Sequence, residues 1–522
     1  MRIFVCAIKG SVPIPPAGPA YVAAALLAAG YQVRGLAFDW TDKDACKPLF
    51  DWCDIFMVGG LSCHWKEIEY LLKLSNRLGI PSVLGGGIVS ADPELVTKAL
   101  RPTLSIIGQG EVTSVEAVKV LSSRCEKESV DGLAWLSSTG VRRSNPRKDI
   151  ADLDALPFPA YELFNNGRWE DSHPSDIDYL SLWDNPREYP LVASRSCPFH
   201  CTFCWHTSGS KYLRRSVSNV LSEIKMAIKK HNITVVSIVD ELFGCSKEWI
   251  EEFCIAIKPL NINWWVALRA TQADPALLKM MRDAGCYMVS YGFESYSEKV
   301  LDSMQKRIKP SDIDCAIKNT QEANLAIMAQ FIFGDPAETL DTAAETIDCW
   351  KKQSEAQIFM GMIWCCPDSL NYRRAIEKGL IKDRLSFHKN IFQSLNLTLM
   401  SDNEYYGLAL RINKLNALES CWPSSTLFGN TLSVVCPHCN AALSYNNFSM
   451  PSLSKARLLC RECKQRFQVS TSIYKFVVRS LAMILPSSSI TYKTWQKGRK
   501  IIDKLIMTIR LTIVLTLISF LL

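Results

Sequence analysis

Two sets of cysteines in this 522-residue chain have spacings that could do chemistry. The first lies in "SRSCPFHCTFCW", where Cys197, Cys201 and Cys204 follow the pattern C-x3-C-x2-C. The second pairs "CPHC" with "CREC", giving Cys436, Cys439, Cys460 and Cys463 in the pattern C-x2-C-x20-C-x2-C. Thiolates at such spacings hold zinc or iron–sulfur clusters. A structural zinc wants four ligands, so the second set reads as a zinc ribbon, with an auxiliary iron–sulfur cluster as the alternative. His438 is surplus to those four thiols and reads as a surface residue. Three cysteines instead match a four-iron cubane (4Fe-4S) with one iron left open. The other thirteen of the twenty cysteines are scattered, as ordinary buried thiols are in a reducing compartment.

The elements that must position these residues are α/β in pattern. Residues 1–150 alternate apolar strands ("RIFVCAI", "QVRGLAF", "CDIFMVGG", "PSVLGGG", "TLSIIGQG") with helical stretches. Glycine follows most of the strands. This describes a doubly wound parallel sheet whose ligand sits beyond the carboxyl ends of the strands. Gly10, Gly60, Gly85, Gly86 and Gly108 mark those ends, either letting a ligand approach the backbone or simply making tight turns. The opening "MRIFVCAIKGSVPIPPAGPAYVAAALLAAG" reads as strand, loop and helix, since Lys9 and three prolines break the apolar run a signal peptide needs. Residues 151–190, rich in Pro, Asp and aromatics, read as an ordered linker. Residues 191–385 hold six strand–helix units, beginning with "LVASRS", and suggest a partial parallel barrel. The cysteine triplet directly follows the first strand. Residues 386–432 read as a helical extension, 433–472 as the ribbon and 473–522 as a basic, apolar tail.

The triplet, with Phe203 before its last cysteine, and the stretches "IVDELF", "YGFESYSEKVLDSMQK" and "FGDPAET" resemble the radical SAM superfamily. The resemblance implies a partial (β/α)6 barrel in which Cys197, Cys201 and Cys204 hold a 4Fe-4S cluster. S-adenosyl-L-methionine would bind the open iron and yield a 5′-deoxyadenosyl radical. It also implies cofactor contacts for Phe203, near the adenine, and for Asp240, Glu241, Arg269 and Glu294. The usual Gly-Gly-Glu run is absent, and these four polar residues could equally form structural ion pairs. The first domain, through "PPAGPAYVAAALLAAGYQV", "VLGGGIVSADPE" and "IIGQGE", resembles the cobalamin-binding domain of one large subgroup. That subgroup contains radical methyltransferases and the anaerobic oxidative cyclase of chlorophyll synthesis. Its D-x-H-x-x-G cobalt motif is missing here, and His64 reads better as an exposed loop residue than as a corrin contact.

Methylthiotransferases of transfer RNA offer a rival reading through Cys6, Cys46 and Cys63. The fourth-strand loop, however, is "GGG" where a third cysteine should be, and no terminal RNA-binding barrel is evident. Taken together, the residues and the resemblance lead us to expect a cobalamin-dependent radical SAM enzyme, most simply one that methylates an unactivated carbon. An oxidative cyclase or cobalamin-assisted rearrangement is the alternative, and a non-catalytic metal-binding adaptor is the alternative of another class. The expected partners are a small-molecule or lipid-like substrate and a flavodoxin or ferredoxin as electron donor. Net charge of +7 is too weak to argue for nucleic acid. The expected place is the cytoplasm. The run "LTIVLTLISFLL" after Lys493, Lys497, Arg499, Lys500, Lys504 and Arg510 reads as an anchor on the inner membrane face in preference to a true span, with a packed terminal helix as the plain alternative.

Overall fold

A computed structural model describes residues 1–9, 16–164, 178–206, 209, 211–353, 358–390, 395–418, 423–450, 455–472 and 474. Gly10, the tail from residue 475 and residues 165–177 of the expected linker lie outside them.

The first domain is a seven-stranded sheet of β1 (Arg2–Ile8), β2 (Gln32–Phe38), β3 (Ile55–Gly59), β4 (Ser82–Gly85), β5 (Leu104–Ile106), β6 (Leu133–Ser137) and β7 (Gly140–Arg143), in the order β2-β1-β3-β4-β5-β6-β7. The first five strands pair in parallel, and β6 and β7 add an antiparallel hairpin that the sequence reading did not separate. Strands such as "IFMVG" are apolar at every position because both faces are covered, as parallel sheets require. The order reverses between β1 and β3, and that switch point is where an open α/β sheet leaves a crevice for a ligand.

The second domain is an open, wholly parallel sheet of β8 (Glu188–Leu191), β11 (Val235–Ile238), β12 (Asn263–Leu268), β13 (Cys286–Glu294), β14 (Ala326–Phe333) and β15 (Phe359–Met362), in chain order across the sheet. The first strand starts three residues earlier than expected. "SRS" instead leaves the sheet, and β9 (Ser194–Arg195) pairs antiparallel with β10 (Leu213–Arg214). Helices Val217–His231, Lys247–Ile257, Pro275–Asp283 and Leu340–Lys352 cover the outer face. Their first turns are capped by Ser216, Ser246, Asp274 and Thr339, whose side-chain oxygens accept backbone N–H bonds.

Side chains alternate along these strands. Val236, Ile238, Trp264, Val266, Val289, Tyr291, Ile327 and Ala329 belong to the large outer core. The opposite face looks into the barrel. Its first row, Val235, Trp265, Met288 and Ala326, is covered by the cysteine ribbon. The ribbon is a three-stranded sheet of β16 (Ser425–Phe428), β17 (Thr431–Val435) and β18 (Ala442–Tyr445), with a hairpin of β19 (Lys455–Leu459) and β20 (Arg466–Ser470). It therefore begins with β16, inside the stretch expected to be a helical extension. Leu458, Phe467 and Val469 point into the ribbon's own core, whereas Leu459 joins the first row of the barrel interior. Ser181 and Asp184 fasten the ribbon in place. The Leu459 N–H donates to Ser181 Oγ at 2.8 Å, and Arg461 pairs with Asp184 at 2.6 Å.

The helix Arg384–Lys389 returns to the first domain, where Arg384 pairs with buried Asp92 and His388 Nδ1 lies 2.9 Å from Ser62 Oγ. Among the described residues, no helix is long and apolar enough to cross a membrane.

Candidate active site

Above the ribbon, the barrel interior opens into a cavity of about 420 Å³ at the carboxyl ends of the strands. Small residues at the second and third rows, Ala267, Ser290 and Gly292, make the space. Cys197, Cys201 and Cys204 line one side. Their loop is held down by two backbone bonds: Thr202 N–H donates to the Met304 carbonyl and Asn371 N–H donates to the Thr202 carbonyl, both at 3.0 Å. Phe203 lines the cavity and packs against Val300, Met304 and Ile363.

Two non-glycine residues of the site, Glu294 at the rim (φ 65°) and Ser196 next to the first cysteine (φ 64°), adopt the left-handed conformation. Strain of this kind is kept where the surroundings fix the geometry, often at a functional site. Glu294 Oε1 binds Lys306 Nζ at 2.9 Å. A Cβ at position 292 would stand 2.3 Å from that oxygen and 2.8 Å from the ammonium, so glycine there makes room for the pair. The second oxygen, Glu294 Oε2, is buried and has no hydrogen-bond partner among the described residues. Arg269 lies 3.6 Å over the Phe199 ring and donates to the carbonyls of Lys306 and Arg307. His206 Nδ1 meets Glu241 Oε2 at 2.5 Å, and this bond raises the imidazole pKa.

A second cavity, of about 530 Å³, sits at the switch point of the first domain. Gly60, Gly85, Gly86 and Gly108 line it, as do Tyr21, His64 and Glu111. Gly86 (φ 86°) is required by a tight approach, since a Cβ would meet the Gly60 backbone at 2.8 Å. The barrel domain closes the other side with Val192, Ser194, Arg195 and Glu241. Arg195 crosses the domain boundary to Glu111 at 2.6 Å, with both side chains nearly buried. Glu111 Oε2 has no partner among the described residues. Glu241 lines both cavities, so the two adjoin at its carboxylate.

In the ribbon, Cys436 and Cys463 sulfurs are 3.8 Å apart and those of Cys439 and Cys460 3.7 Å. Zn–S bonds of about 2.3 Å in a tetrahedron require about 3.8 Å. Among the described residues, this is the one group whose donor atoms gather that closely. The triplet is spread more widely, which suits a cluster better than a single ion.

Residues 191–349 match the family model of the radical SAM superfamily. That stretch holds the cysteine triplet and most of the parallel barrel. An uncharacterized methyltransferase of Pyrococcus horikoshii is 28% identical over 351 residues, 65% of this chain and 73% of that protein. The anaerobic magnesium-protoporphyrin IX monomethyl ester cyclase of Rubrivivax gelatinosus is 27% identical over 361 residues, 64% and 61% of the two chains. Among solved structures, the radical S-adenosylmethionine methyltransferase TsrM of Kitasatospora setae, determined with cobalamin and a 4Fe-4S cluster bound, superposes with a TM-score of 0.60. It is 17% identical, with 72% of this chain and 75% of that chain covered, so the likeness is one of fold.

The barrel gathers Cys197, Cys201, Cys204, Phe203, Glu241, Arg269 and Glu294 around one cavity. Asp240 departs from expectation and lines neither cavity. It is turned inward, accepting from Ala193 N–H at 2.8 Å and lying 2.7 Å from Ser194 Oγ. His64 also departs from the exposed position expected of it, since it forms part of the second cavity's wall and its Nδ1 accepts from Leu61 N–H at 3.3 Å. His438 is half-buried, its Nε2 2.9 Å from the Arg466 carbonyl. Cys6 and Cys46 are fully buried core thiols. Sequence reasoning missed Lys306, His206, Arg195 and Arg457. Lys306 ends the quoted "SYSEKVLDSMQK" and could have been found there. Arg195 and His206 flank the cysteine triplet, but their acidic partners do not, and Arg457 is brought in from the ribbon.

Proposed function

We propose that this chain is a cobalamin-dependent radical SAM enzyme that methylates an unactivated carbon of a small molecule. The observation that carries the reading is the meeting of the two cavities at Glu241, one rimmed by three cysteines and the other walled by switch-point glycines. The donor sets fit the groups. Cys197, Cys201 and Cys204 would hold a four-iron cluster, and the unpartnered Glu294 Oε2, with Lys306 and Arg269 close by, suits the ammonium and carboxylate ends of S-adenosylmethionine. Glu111 Oε2, likewise unpartnered, suits a corrin amide at the second cavity. When bound, the cluster supplies the electron that releases a 5′-deoxyadenosyl radical. Cobalamin, when bound, carries the methyl group. Cys436, Cys439, Cys460 and Cys463 would hold a structural zinc.

The chain's own work is positioning and exclusion. The Lys306–Glu294 pair fixes charges at the rim where they are largely buried and act more strongly than in solvent, and the more exposed His206–Glu241 pair fixes charge where the two cavities meet. Ala267, Ser290 and Gly292 leave space for substrate, and the ribbon closes the floor. The Arg195–Glu111 bridge keeps the cavities adjoining. A reducing compartment would suit the free thiols, and a flavodoxin or ferredoxin would be the electron donor.

The test is anaerobic reconstitution with iron, sulfide and cobalamin. The cluster's electron paramagnetic resonance (EPR) signal should change on adding S-adenosylmethionine, and Cys201→Ala should abolish the cluster. With substrate, S-adenosylhomocysteine and 5′-deoxyadenosine should form in equal amounts, since methylation consumes one S-adenosylmethionine as methyl source and one as radical source. Formation of 5′-deoxyadenosine alone would favour the oxidative reading that the cyclase relative supports. Failure to retain cobalamin would overturn the reading of the first domain.

A further inference from the structure

Three consecutive residues carry the cysteine loop across the domain boundary. Cys204 lines the barrel cavity, and its N–H donates to the Cys201 carbonyl at 3.0 Å. His206 fastens the loop through both ring nitrogens, with Nδ1 on Glu241 and Nε2 3.0 Å from the Phe199 carbonyl. Trp205, between them, reaches the first domain. A Cβ at position 87 would stand 2.9 Å from Cζ3 and Cη2 of its indole, closer than real Cβ atoms come. Gly87 opens the helix Gly87–Ala91, and its missing side chain leaves a notch that the outer edge of the indole fills. Gly87 and Leu61 both wall the second cavity, and Leu61 Cδ2 would lie 2.6 Å from the same Cβ. Leu61 is exposed and can turn into solvent, so the indole is the fixed member of the contact.

Gly209 makes a second approach to residues 1–150. Its φ of 112° needs glycine, and a Cβ there would meet the Asp149 carboxylate at 2.8 Å. Its carbonyl accepts from Ser196 Oγ at 2.9 Å, beside the first cysteine. The loop is thus pinned to the barrel through Thr202 and to the first domain through Trp205 and Gly209. Packed side chains are nearly incompressible and pass a displacement on. A shift of the wall at Gly87 reaches the neighbour of Cys204 through a single ring.

We propose that Trp205 is a positioning residue that couples the two cavities: seated against Gly87, it sets where the cysteine loop stands relative to the wall of the second cavity. This rests on the reading of the two cavities as cluster and cobalamin sites.

The test alters one domain and reads the other, in the full chain reconstituted anaerobically with iron and sulfide. Gly87→Ala should change the EPR signal of the reduced cluster, although position 87 belongs to the first domain. Trp205→Phe lacks the outer edge of the indole. In that background Gly87→Ala should leave the signal unchanged, the non-additivity that a shared contact gives. In the opposite direction, Trp205→Ala should weaken binding of hydroxocobalamin about fivefold or more, as titrated by absorbance, with the iron content retained. A Gly87→Ala signal equal to that of the unmodified protein, a change that persists in full in the Trp205→Phe background, or equal affinity of Trp205→Ala for hydroxocobalamin would overturn the proposal. If Gly87→Ala loses the cluster, its return in the double variant supports the contact and its absence there overturns it. Unmodified protein that takes up a cluster but no hydroxocobalamin would count against the cobalamin reading, and the EPR comparison would still decide the contact. Unmodified protein that takes up no cluster would overturn the reading of the triplet and the proposal with it.

Discussion

Asp240 and Glu241 are neighbours in sequence with opposite fates. Both lie just beyond the end of β11, and only one of the two faces the cofactor cavity. That one is Glu241. Asp240 is buried between the cavities, and burial pushes its pKa up to about 7. Its contacts fit a neutral acid. Ser194 Oγ has one proton and also lies 3.0 Å from the Leu242 carbonyl. A protonated Asp240 can donate to Ser194, leaving the serine to donate to Leu242. A carboxyl with a raised folded-state pKa gives stability that is full below its unfolded value, near 4, and lost as the pH climbs through about 7. Asp240→Asn can make the same bonds with a permanent N–H donor. We therefore expect the melting temperature to fall from about pH 5 to about pH 8 in the unmodified protein and to fall less in Asp240→Asn, as followed by scanning calorimetry. An equal slope in both would show that Asp240 does not titrate in this range. The cysteines were legible in the sequence because their chemistry is local, within eight residues. The pairing at the rim was not, because His206 meets Glu241 and Arg195 meets Glu111 only after strands far apart in the chain are laid side by side.

At the scale of elements, most strands were legible from their apolar runs, and the sheet orders follow from consecutive crossovers. Two readings slipped. "LVASRS" reads as one strand, but β8 ends at Leu191 and the chain turns into the small β9–β10 hairpin. The ribbon starts at β16 rather than at residue 433, because "STLF" pairs with "TLSVV" across a two-residue turn at Gly429–Asn430. Neither slip shows in composition, since apolar runs do not say where pairing stops. The interior-facing side of β19 was equally invisible, because its partners lie about 100 residues or more away in the barrel. The metal should matter for that contact. If four thiolates hold zinc, Cys460→Ser removes one of them, and ribbon folding depends on its metal. Hydrogen exchange should then quicken across residues 455–470 and at the starts of β11, β13 and β14. The outer helices Val217–His231 and Lys247–Ile257 should keep their protection. Unchanged exchange across the hairpin would mean that barrel contacts alone hold it.

Across the whole molecule, the two large domains are joined at a buried ion pair. Arg195 and Glu111 are both nearly inaccessible, and Arg195 also lies 5.0 Å over the Tyr21 ring. Removing one member strands a charge and costs about 3–5 kcal/mol, whereas replacing both by apolar residues of similar volume is often neutral. Arg195→Met should accordingly lower the denaturation midpoint markedly. Arg195→Met combined with Glu111→Met should recover most of the loss, as measured by urea unfolding. Equal stability of all three would make the bridge energetically idle.

The floor of the barrel has a further consequence. The reacting rim is built from the strand ends and the cysteine loop, but the bottom of the chamber is closed by a hairpin inserted from beyond the barrel. Rim and floor are therefore encoded more than 100 residues apart and share few side chains. Mutation at position 457 can change the charge of the chamber without replacing any side chain of the rim. A chain built this way can inherit its chemistry from one segment and acquire new cargo through another.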